Sequence, residues 1–328
     1  MSPRGENDYP LLVVAGPTAS GKTALALHLA EALNGEIVSC DSVAVYRLME
    51  IGTAKPSLAE RQRVPHHCID LYWPNQPCTA GDYARHARQS IAAIRHRGRL
   101  PIVAGGTGLY LRALLEGLAP APQRDQALRD RLRTRADRRG SAWLHRILQR
   151  LDPKAAALIH ANDLPKLIRS IEVTLAARLP QTDQWQTGRD PLRGFRVLQM
   201  GLAPLTSPPL RDRLYARIND RAAAMFQRGL LAETELLRAR FGDDCRALTA
   251  LGYAQAMSVL RNESTPAPAI DAAIAAAQQG HRNYAKRQGT WFRKVNSMHW
   301  LEGFGDEPAV QAEALALSRT LLEGGTPQ

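Results

Sequence analysis

Apolar residues fall into two textures along this chain. Short, nearly continuous apolar runs come first: Leu11-Leu12-Val13-Val14-Ala15, Glu36 to Ser42, and Leu100-Pro101-Ile102-Val103-Ala104. Runs of this length between turn residues read as strands covered on both faces, the pattern of a parallel sheet. Pro65 to Leu71 reads as a further short strand. Phe195 to Leu202 alternates and brings the sheet back, and Met298 to Leu301 adds a last strand. Between them apolar positions recur at helical spacing: Ala24 to Ala30, Thr79 to Arg97 with Asp82 three residues after a capping Thr79, then 208–240, 248–260 and 267–295.

From Ala119 the texture changes. Pro120 and Pro122 break a helix, and Arg124 to Ala177 is almost wholly helical in pattern, with no convincing strand. It carries Arg129, Arg131, Arg133, Arg135, Arg138 and Arg139, so its exposed faces are basic. Pro180 to Gly194 is a polar connector. The expected organisation is an α/β core over 1–122 and 187–328 with an inserted all-helical lobe at 123–186.

The stretch Gly16-Pro17-Thr18-Ala19-Ser20-Gly21-Lys22-Thr23 stands between the first apolar run and the first helix. Strand, glycine-bounded turn, then Lys-Thr opening a helix is the context of a phosphate-binding loop. Glycines let backbone N–H groups curl around an anion, and the helix N-terminus adds a favourable dipole. Lys22 offers a point charge to a terminal phosphate, and the Thr23 hydroxyl a ligand for Mg²⁺. The fold class is therefore α/β, a P-loop NTPase-like parallel sheet core flanked by helices.

Two strand ends refine that reading. Asp41 follows the second apolar run, on the rim where open α/β sheets bind ligands; it serves either as a functional carboxylate or as a cap for the next turn. The Leu100–Ala104 run ends in Gly105-Gly106-Thr107-Gly108, where nucleotide hydrolases usually carry an acid. Its glycines allow close approach of a ligand, Thr107 offers a neutral hydroxyl, and the missing carboxylate weakens an ATPase reading. His66 and His67 are adjacent and point to opposite faces of a strand, which disfavours a shared metal.

Charge then changes the picture. The chain of 328 residues has a formal net charge of +12 with lysine only at 22, 55, 154, 166, 286 and 294, so arginine dominates. A basic surface favours a polyanionic partner. Arg213, Arg217 and Arg221 repeat every fourth residue on one helix face and repel one another unless an anion or acidic neighbours intervene. Arg282 to Lys294 interleaves cations, aromatics and amides, as single-stranded nucleic acid contacts do, and as a packed helix end also does. Cys40, Cys68, Cys78 and Cys245 are scattered, without disulfide or zinc spacing. Met1 to Tyr9 is polar and reads as flexible, with no signal core, and no run approaches the ~20 apolar residues that span a bilayer. The expectation is a cytoplasmic protein without membrane contact, monomeric because nothing reads as a coiled coil.

Taken in order, Gly16 to Thr23, Asp41-Ser42 with Ile51 to Pro56, Pro65-His66-His67, Gly105 to Tyr110, Leu251-Gly252-Tyr253 and Arg282 to Arg293 resemble the bacterial tRNA dimethylallyltransferases, also called tRNA isopentenyltransferases. The resemblance spans nearly the whole chain. Ala44 stands where many members have Gln, as does Asn283; both departures read as peripheral to the chemistry. The zinc finger of eukaryotic members is not matched.

The resemblance implies transfer of a dimethylallyl group from dimethylallyl diphosphate to the N6 amine of the adenosine 3′ of the tRNA anticodon. It implies Asp41 as general base, Thr107 near the reacting centre, and Arg217, then Arg221, on the diphosphate. Gly16, Pro17, Thr18, Ala19, Ser20, Gly21, Lys22 and Thr23 would hold the diphosphate, with Mg²⁺ as cofactor at Thr23. The tRNA anticodon stem-loop would meet Asp41, Ser42, Val43, Ala44, Thr107, Arg129, Pro165, Lys166, Leu167, Ile168, Arg169, Gly252, Tyr253, Arg282, Lys286, Arg287 and Gln288. Competing readings are an adenylate isopentenyltransferase acting on free nucleotide, a P-loop small-molecule kinase, and a non-catalytic RNA-binding protein.

Overall fold

The structure, a computed structural model, describes residues 9–119, 121–122, 124–184, 188–261 and 267–324. The stretch read as flexible ahead of Tyr9, Pro120, and the 186/187 boundary lie outside the described residues. Contact density divides the chain into two compact units, one running to Leu115 and resuming at Leu192, the other Glu116–Pro191. The second unit is wider at both ends than the 123–186 lobe drawn from sequence.

The first unit is built on a six-stranded parallel sheet in the order β3-β2-β4-β1-β5-β6. The strands are β1 (Tyr9–Ala15), β2 (Gly35–Cys40), β3 (His66–His67), β4 (Leu100–Gly105), β5 (Phe195–Leu202) and β6 (Met298–Leu301). β3 is only two residues long because Cys68 and Asp70 adopt positive φ and turn the chain away. The helices before the second unit are α1 (Lys22–Ala32), α2 (Leu58–Arg63), α3 (Ala80–His96) and α4 (Gly108–Leu115). Thr79 and Asp82 do form the expected capping box at α3.

Alternation in β1 sorts its side chains to two cores. Leu12 and Val14 join Leu25 and Leu29 of α1 on one face, and Leu11, Val13 and Ala15 join Tyr83, Ile91 and Ile94 of α3 on the other. Both faces being covered explains the unbroken apolar run and puts β1 in the middle of the sheet.

The second unit holds α5 (Gln126–Arg139), α6 (Ser141–Leu151), α7 (Pro153–Leu158), α8 (Leu164–Ala177) and α9 (Gln181–Gln184). Leu132, Leu144, Leu148, Leu167, Ile168 and Ile171 form its core. Two buried carboxylates tie it together. Asp152 accepts from the amides of Ala155 and Thr182 and from the Thr182 hydroxyl. Glu172, fully buried, takes the Asp125 amide at 2.7 Å, Arg129 at 2.9 Å and Arg169 at 2.8 Å.

Back in the first unit come α10 (Pro208–Gln227), α11 (Leu230–Phe241), α12 (Tyr253–Leu260), α13 (Ala267–Phe292) and α14 (Pro308–Leu322). The single helix expected over 208–240 is two, because Gly229 takes a left-handed conformation (φ 99°) between α10 and α11. Gly252 is not inside a helix either; at φ 89° it precedes α12. α14 went unread in the sequence; its Val310, Ala314 and Leu321 cover the α1 face of the sheet. Among the described residues no helix is long and apolar enough to cross a membrane.

Glu172 generates a stability prediction. Burial alone raises its carboxyl, but bonds from Arg169, the Asp125 amide and Arg129 bring it below the usual range. Removing it in Glu172→Ala leaves two guanidinium groups facing an apolar core. The expected loss is about 3 kcal/mol, read from urea unfolding; an unchanged midpoint would show the cluster to be dispensable.

Candidate active site

The site begins with the turn after β1. Gly16 (φ 152°), Ala19 (φ 62°) and Gly21 (φ 88°) bend the backbone into the loop, and Gly21 caps α1. A side chain at Gly21 would lie 2.7 Å from the Gly305 amide nitrogen, so that position is closed to any other residue. Lys22 donates from Nζ to the Pro17 carbonyl at 2.6 Å. Burial first, then the like charge of Arg221, brings its ammonium down to about 7, with Asp41 pulling the other way. Thr23, next along, is exposed.

Gln288 of α13 holds this loop to the neighbouring strand end. Its Oε1 accepts from the Thr18 amide at 2.8 Å, and its Nε2 donates to the Gly106 carbonyl at 2.9 Å. The glycines after β4 make room for α13: a Cβ on Gly106 would fall 2.2 Å from Gln288 Nε2, and one on Gly108 would fall 2.3 Å from the Trp291 ring. The close approach expected of a ligand there is made at those two positions by protein.

Asp41 stands one residue beyond β2. Its Oδ1 accepts from the amides of Val43 at 2.8 Å and Ala44 at 3.2 Å, so it does cap the following turn. Thr107 accepts from the Ser42 amide at 3.1 Å and lies close enough to the phenol of Tyr284 to act on it. Tyr284 is raised to about 12, by burial and then by the charge of Asp41. The two strand ends and α13 thus meet at Thr107.

Lys22, Thr23, Asp41, Ala44, Gly106, Tyr284, Gln288 and Arg221 line one cavity. Ala44 is therefore not peripheral, as its departure from the family pattern suggested; it is wall. A second cavity of about 380 Å³ lies outside the loop, bordered by Gly21, Lys22, Thr23, Arg217, Arg221 and Asp306. Lys22, Thr23 and Arg221 border both. The Arg221 guanidinium makes no hydrogen bond to any described residue, and its pKa is lowered chiefly by burial. Arg217 Nη1 and Ser20 Oγ are buried without partners. Four polar groups around one loop thus lack an acceptor or repel a neighbour, the signature of an anion site.

Other expected contacts sit elsewhere. Leu167 and Ile168 are in the core of the second unit and present nothing to RNA, whereas Pro165 and Lys166 are exposed. Arg129 and Arg169 are held by Glu172, which the sequence reading did not single out. Tyr253 is fully buried, its phenol 2.6 Å from Glu233 Oε1. Gly252 is buried beside it. Glu233 also takes the amides of Glu50, Ile51 and Gly52, anchoring the loop whose Thr53, Ala54, Lys55 and Pro56 close the first cavity. Gly52 packs on the same tyrosine: a Cβ there would lie 2.4 Å from the Tyr253 ring. Val43 is half-buried; Arg282 bonds Asn219 and Gln279. Lys286 and Arg287 are exposed, over the rings of Tyr215 and Tyr284. His66 and His67 bond separately, to Val64 O and Glu36 Oε2.

The parallel sheet, the loop between β1 and α1, and the cations around it define a P-loop NTPase-like protein. A family model described as IPP transferase matches residues 44–295. A tRNA dimethylallyltransferase of Koribacter versatilis is 55% identical, over 96% of this chain and 99% of that protein. One from Solibacter usitatus is 51% identical, over 93% and 97%. The crystal structure of a tRNA isopentenylpyrophosphate transferase from Bacillus halodurans superposes with a TM-score of 0.69 at 35% identity, over 97% and 98% of the two chains. The chain belongs to the tRNA dimethylallyltransferase family.

Lys22 makes the site pH-sensitive. A pKa lowered to about 7 means that its charge is present below that pH and lost as pH rises through it, when no anion is bound. Lys22→Arg keeps its charge throughout. Inorganic diphosphate should therefore bind the wild type progressively worse relative to Lys22→Arg between about pH 6 and pH 8, measured by calorimetry. A ratio independent of pH would show Lys22 charged throughout.

Proposed function

We propose that this protein transfers the dimethylallyl group of dimethylallyl diphosphate to N6 of the adenosine 3′ of the anticodon in tRNA, releasing diphosphate. The observation that carries the reading is the cation set at the loop: Lys22 and Arg221 repel each other across cavities they share, while Arg217 Nη1 and Ser20 Oγ await an acceptor. An allylic diphosphate loosens its C–O bond in the transition state, and negative charge grows on the oxygens these groups face.

The nucleophile is an exocyclic amine whose lone pair is delocalised into the ring, so a base must take its proton as the N–C bond forms. Asp41 serves as that base. With Oδ1 tied to two amides the carboxylate is held in one orientation. Thr107, fixed by Ser42, orients the amine. The target base is drawn out of its stack to reach the cavity.

The donors fit Mg²⁺. Thr23, Ser39 and Asp41 border one cavity and offer hard oxygens, and Mg²⁺ retains several waters without a full protein cage. Among the described residues no group of three or more His, Cys, Asp or Glu is placed to hold a metal, so Thr23 would hold the ion together with diphosphate oxygens and water. Bound there, Mg²⁺ supplies positive charge to the leaving group.

Exposed Arg131, Arg133, Arg135, Arg138 and Arg139 on α5, with Lys286 and Arg287 on α13, supply phosphate contacts to tRNA. This work on tRNA belongs in the cytoplasm, by a monomer. A small-molecule kinase is disfavoured by the neutral Gly105-Gly106-Thr107 end of β4.

Two measurements test the reading. Mass spectrometry of bulk tRNA incubated with protein, Mg²⁺ and dimethylallyl diphosphate should reveal a prenyl mass gain confined to tRNAs with adenosine beside the anticodon's third base. No gain over a no-enzyme control would sink it. Asp41→Asn should lower kcat by roughly 10²–10⁴ with diphosphate binding retained; a fully active variant would remove Asp41 as base.

A further inference from the structure

The turn between β6 and α14, Gly303-Phe304-Gly305-Asp306-Glu307, is welded to the phosphate loop. Gly305 N–H donates to the Ser20 carbonyl at 2.9 Å, and a Cβ on Gly305 would lie 2.4 Å from the Gly21 carbonyl oxygen. Phe304 is fully buried and packs with Ala19 of the loop and with Leu214 and Ile218 of α10. Its amide donates to Glu307 Oε2 at 2.9 Å, which shapes the turn.

The turn and α10 meet through two arginines. Arg213 and Arg217 place their guanidinium carbons 4.8 Å and 4.4 Å from the Phe304 ring centroid. Arg213 Nη2 donates to Glu307 at 2.6 Å, and Arg217 Nη2 donates to Asp306. These carboxylates relieve the repulsion along the α10 face; Arg221, one turn further on, makes no hydrogen bond to this turn and feels the charge of Asp41 instead. Arg217 is thus fixed on a ring face and at one edge by an aspartate, while its Nη1 is buried and unbonded. Asp306 and Arg217 border the same cavity as Lys22 and Thr23. The carboxyl of Asp306 lies below its usual range, held there first by the Arg217 bond, so it is ionised at neutral pH.

We propose that Asp306 is a positioning residue for the transfer: it holds Arg217 through Nη2, so that Nη1 is already set for the departing diphosphate. The proposal rests on Arg217 serving the diphosphate. A guanidinium ordered before the substrate arrives does not have to be ordered during the reaction, and its bond gains most when charge on the diphosphate is greatest. The effect therefore belongs in kcat, with the KM for tRNA unmoved.

The test compares wild type, Asp306→Asn, Asp306→Glu, Arg217→Gln and the Asp306→Asn/Arg217→Gln double variant in prenyl transfer at saturating tRNA, with melting temperatures alongside. Asp306→Asn should lose roughly tenfold or more in kcat at unchanged KM for tRNA and unchanged melting temperature. Asp306→Glu should recover part of the loss, and the double variant should be no worse than Arg217→Gln. A fully active Asp306→Asn beside an impaired Arg217→Gln would overturn the role of Asp306 alone. Additive losses in the double variant would do the same. Tighter inhibition by diphosphate in Asp306→Asn, with kcat kept, would make Asp306 a competitor of the diphosphate and not a support. A fully active Arg217→Gln would overturn the diphosphate role of Arg217 and this proposal with it.

Discussion

Two like charges that share a wall govern this active site. Lys22 and Arg221 border the same cavities, burial lowers the proton affinity of both, the charge of Arg221 lowers that of Lys22 further, and Asp41 is the carboxylate whose charge acts on both. Desolvated cations left together are unfavourable unless an anion joins them. The loop amides and the N-terminus of α1 add partial positive charge at the same place. In the proposed transfer a bound diphosphate would relieve that repulsion. Lys22 donating to the Pro17 carbonyl offsets only a little of it.

Such a site keeps its geometry only if its surroundings are stiff, and the stiffness comes from hydrogen bonds joining segments far apart in sequence. Gln288 bonds both Thr18 and Gly106. Glu233 gathers the amides of 50–52 and the Tyr253 phenol. The turn at Gly305 bonds Ser20. In each case one partner belongs to a loop bordering the cavities. These bonds place the walls in the absence of substrate, which is what electrostatic preorganisation needs.

Local signals were legible in the sequence and long-range pairings were not. The apolar runs announced β1, β2 and β4, because strands covered on both faces leave no polar alternation to misread. The loop Gly16 to Thr23 announced itself because its glycines answer to backbone geometry. Contact residues drawn from a linear motif fared differently. Pro165 to Arg169 is a helix start whose exposed and buried positions alternate with the helical turn, so Leu167 and Ile168 went into the core. Glu172, Glu233 and Asp306 carry no motif, since their meaning lies in partners 43, 183 and 89 positions away. Gly229 ended a helix that apolar spacing alone would have continued.

In the proposed transfer, capping and catalysis do not compete for the Asp41 carboxylate. Both amide bonds fall on Oδ1, where they set the turn that leads through Ala44 into the cavity wall. A free aspartate at a strand tip would sample several rotamers and would have to be ordered on each turnover. Held by two amides, it faces Lys22, Arg221 and Tyr284 in a single pose. The same bonds that let Asp41 begin a turn would hold it for the proton it accepts in the proposed transfer. On the β4 side the neutral Thr107 adds orientation without a second negative charge, which would oppose both a bound diphosphate and the ionised Asp41. An acid at that strand end suits hydrolysis of a nucleotide held there. Its replacement by a hydroxyl suits the proposed transfer, in which the first cavity offers Lys22 and Arg221 for negative charge and Asp41 for the proton.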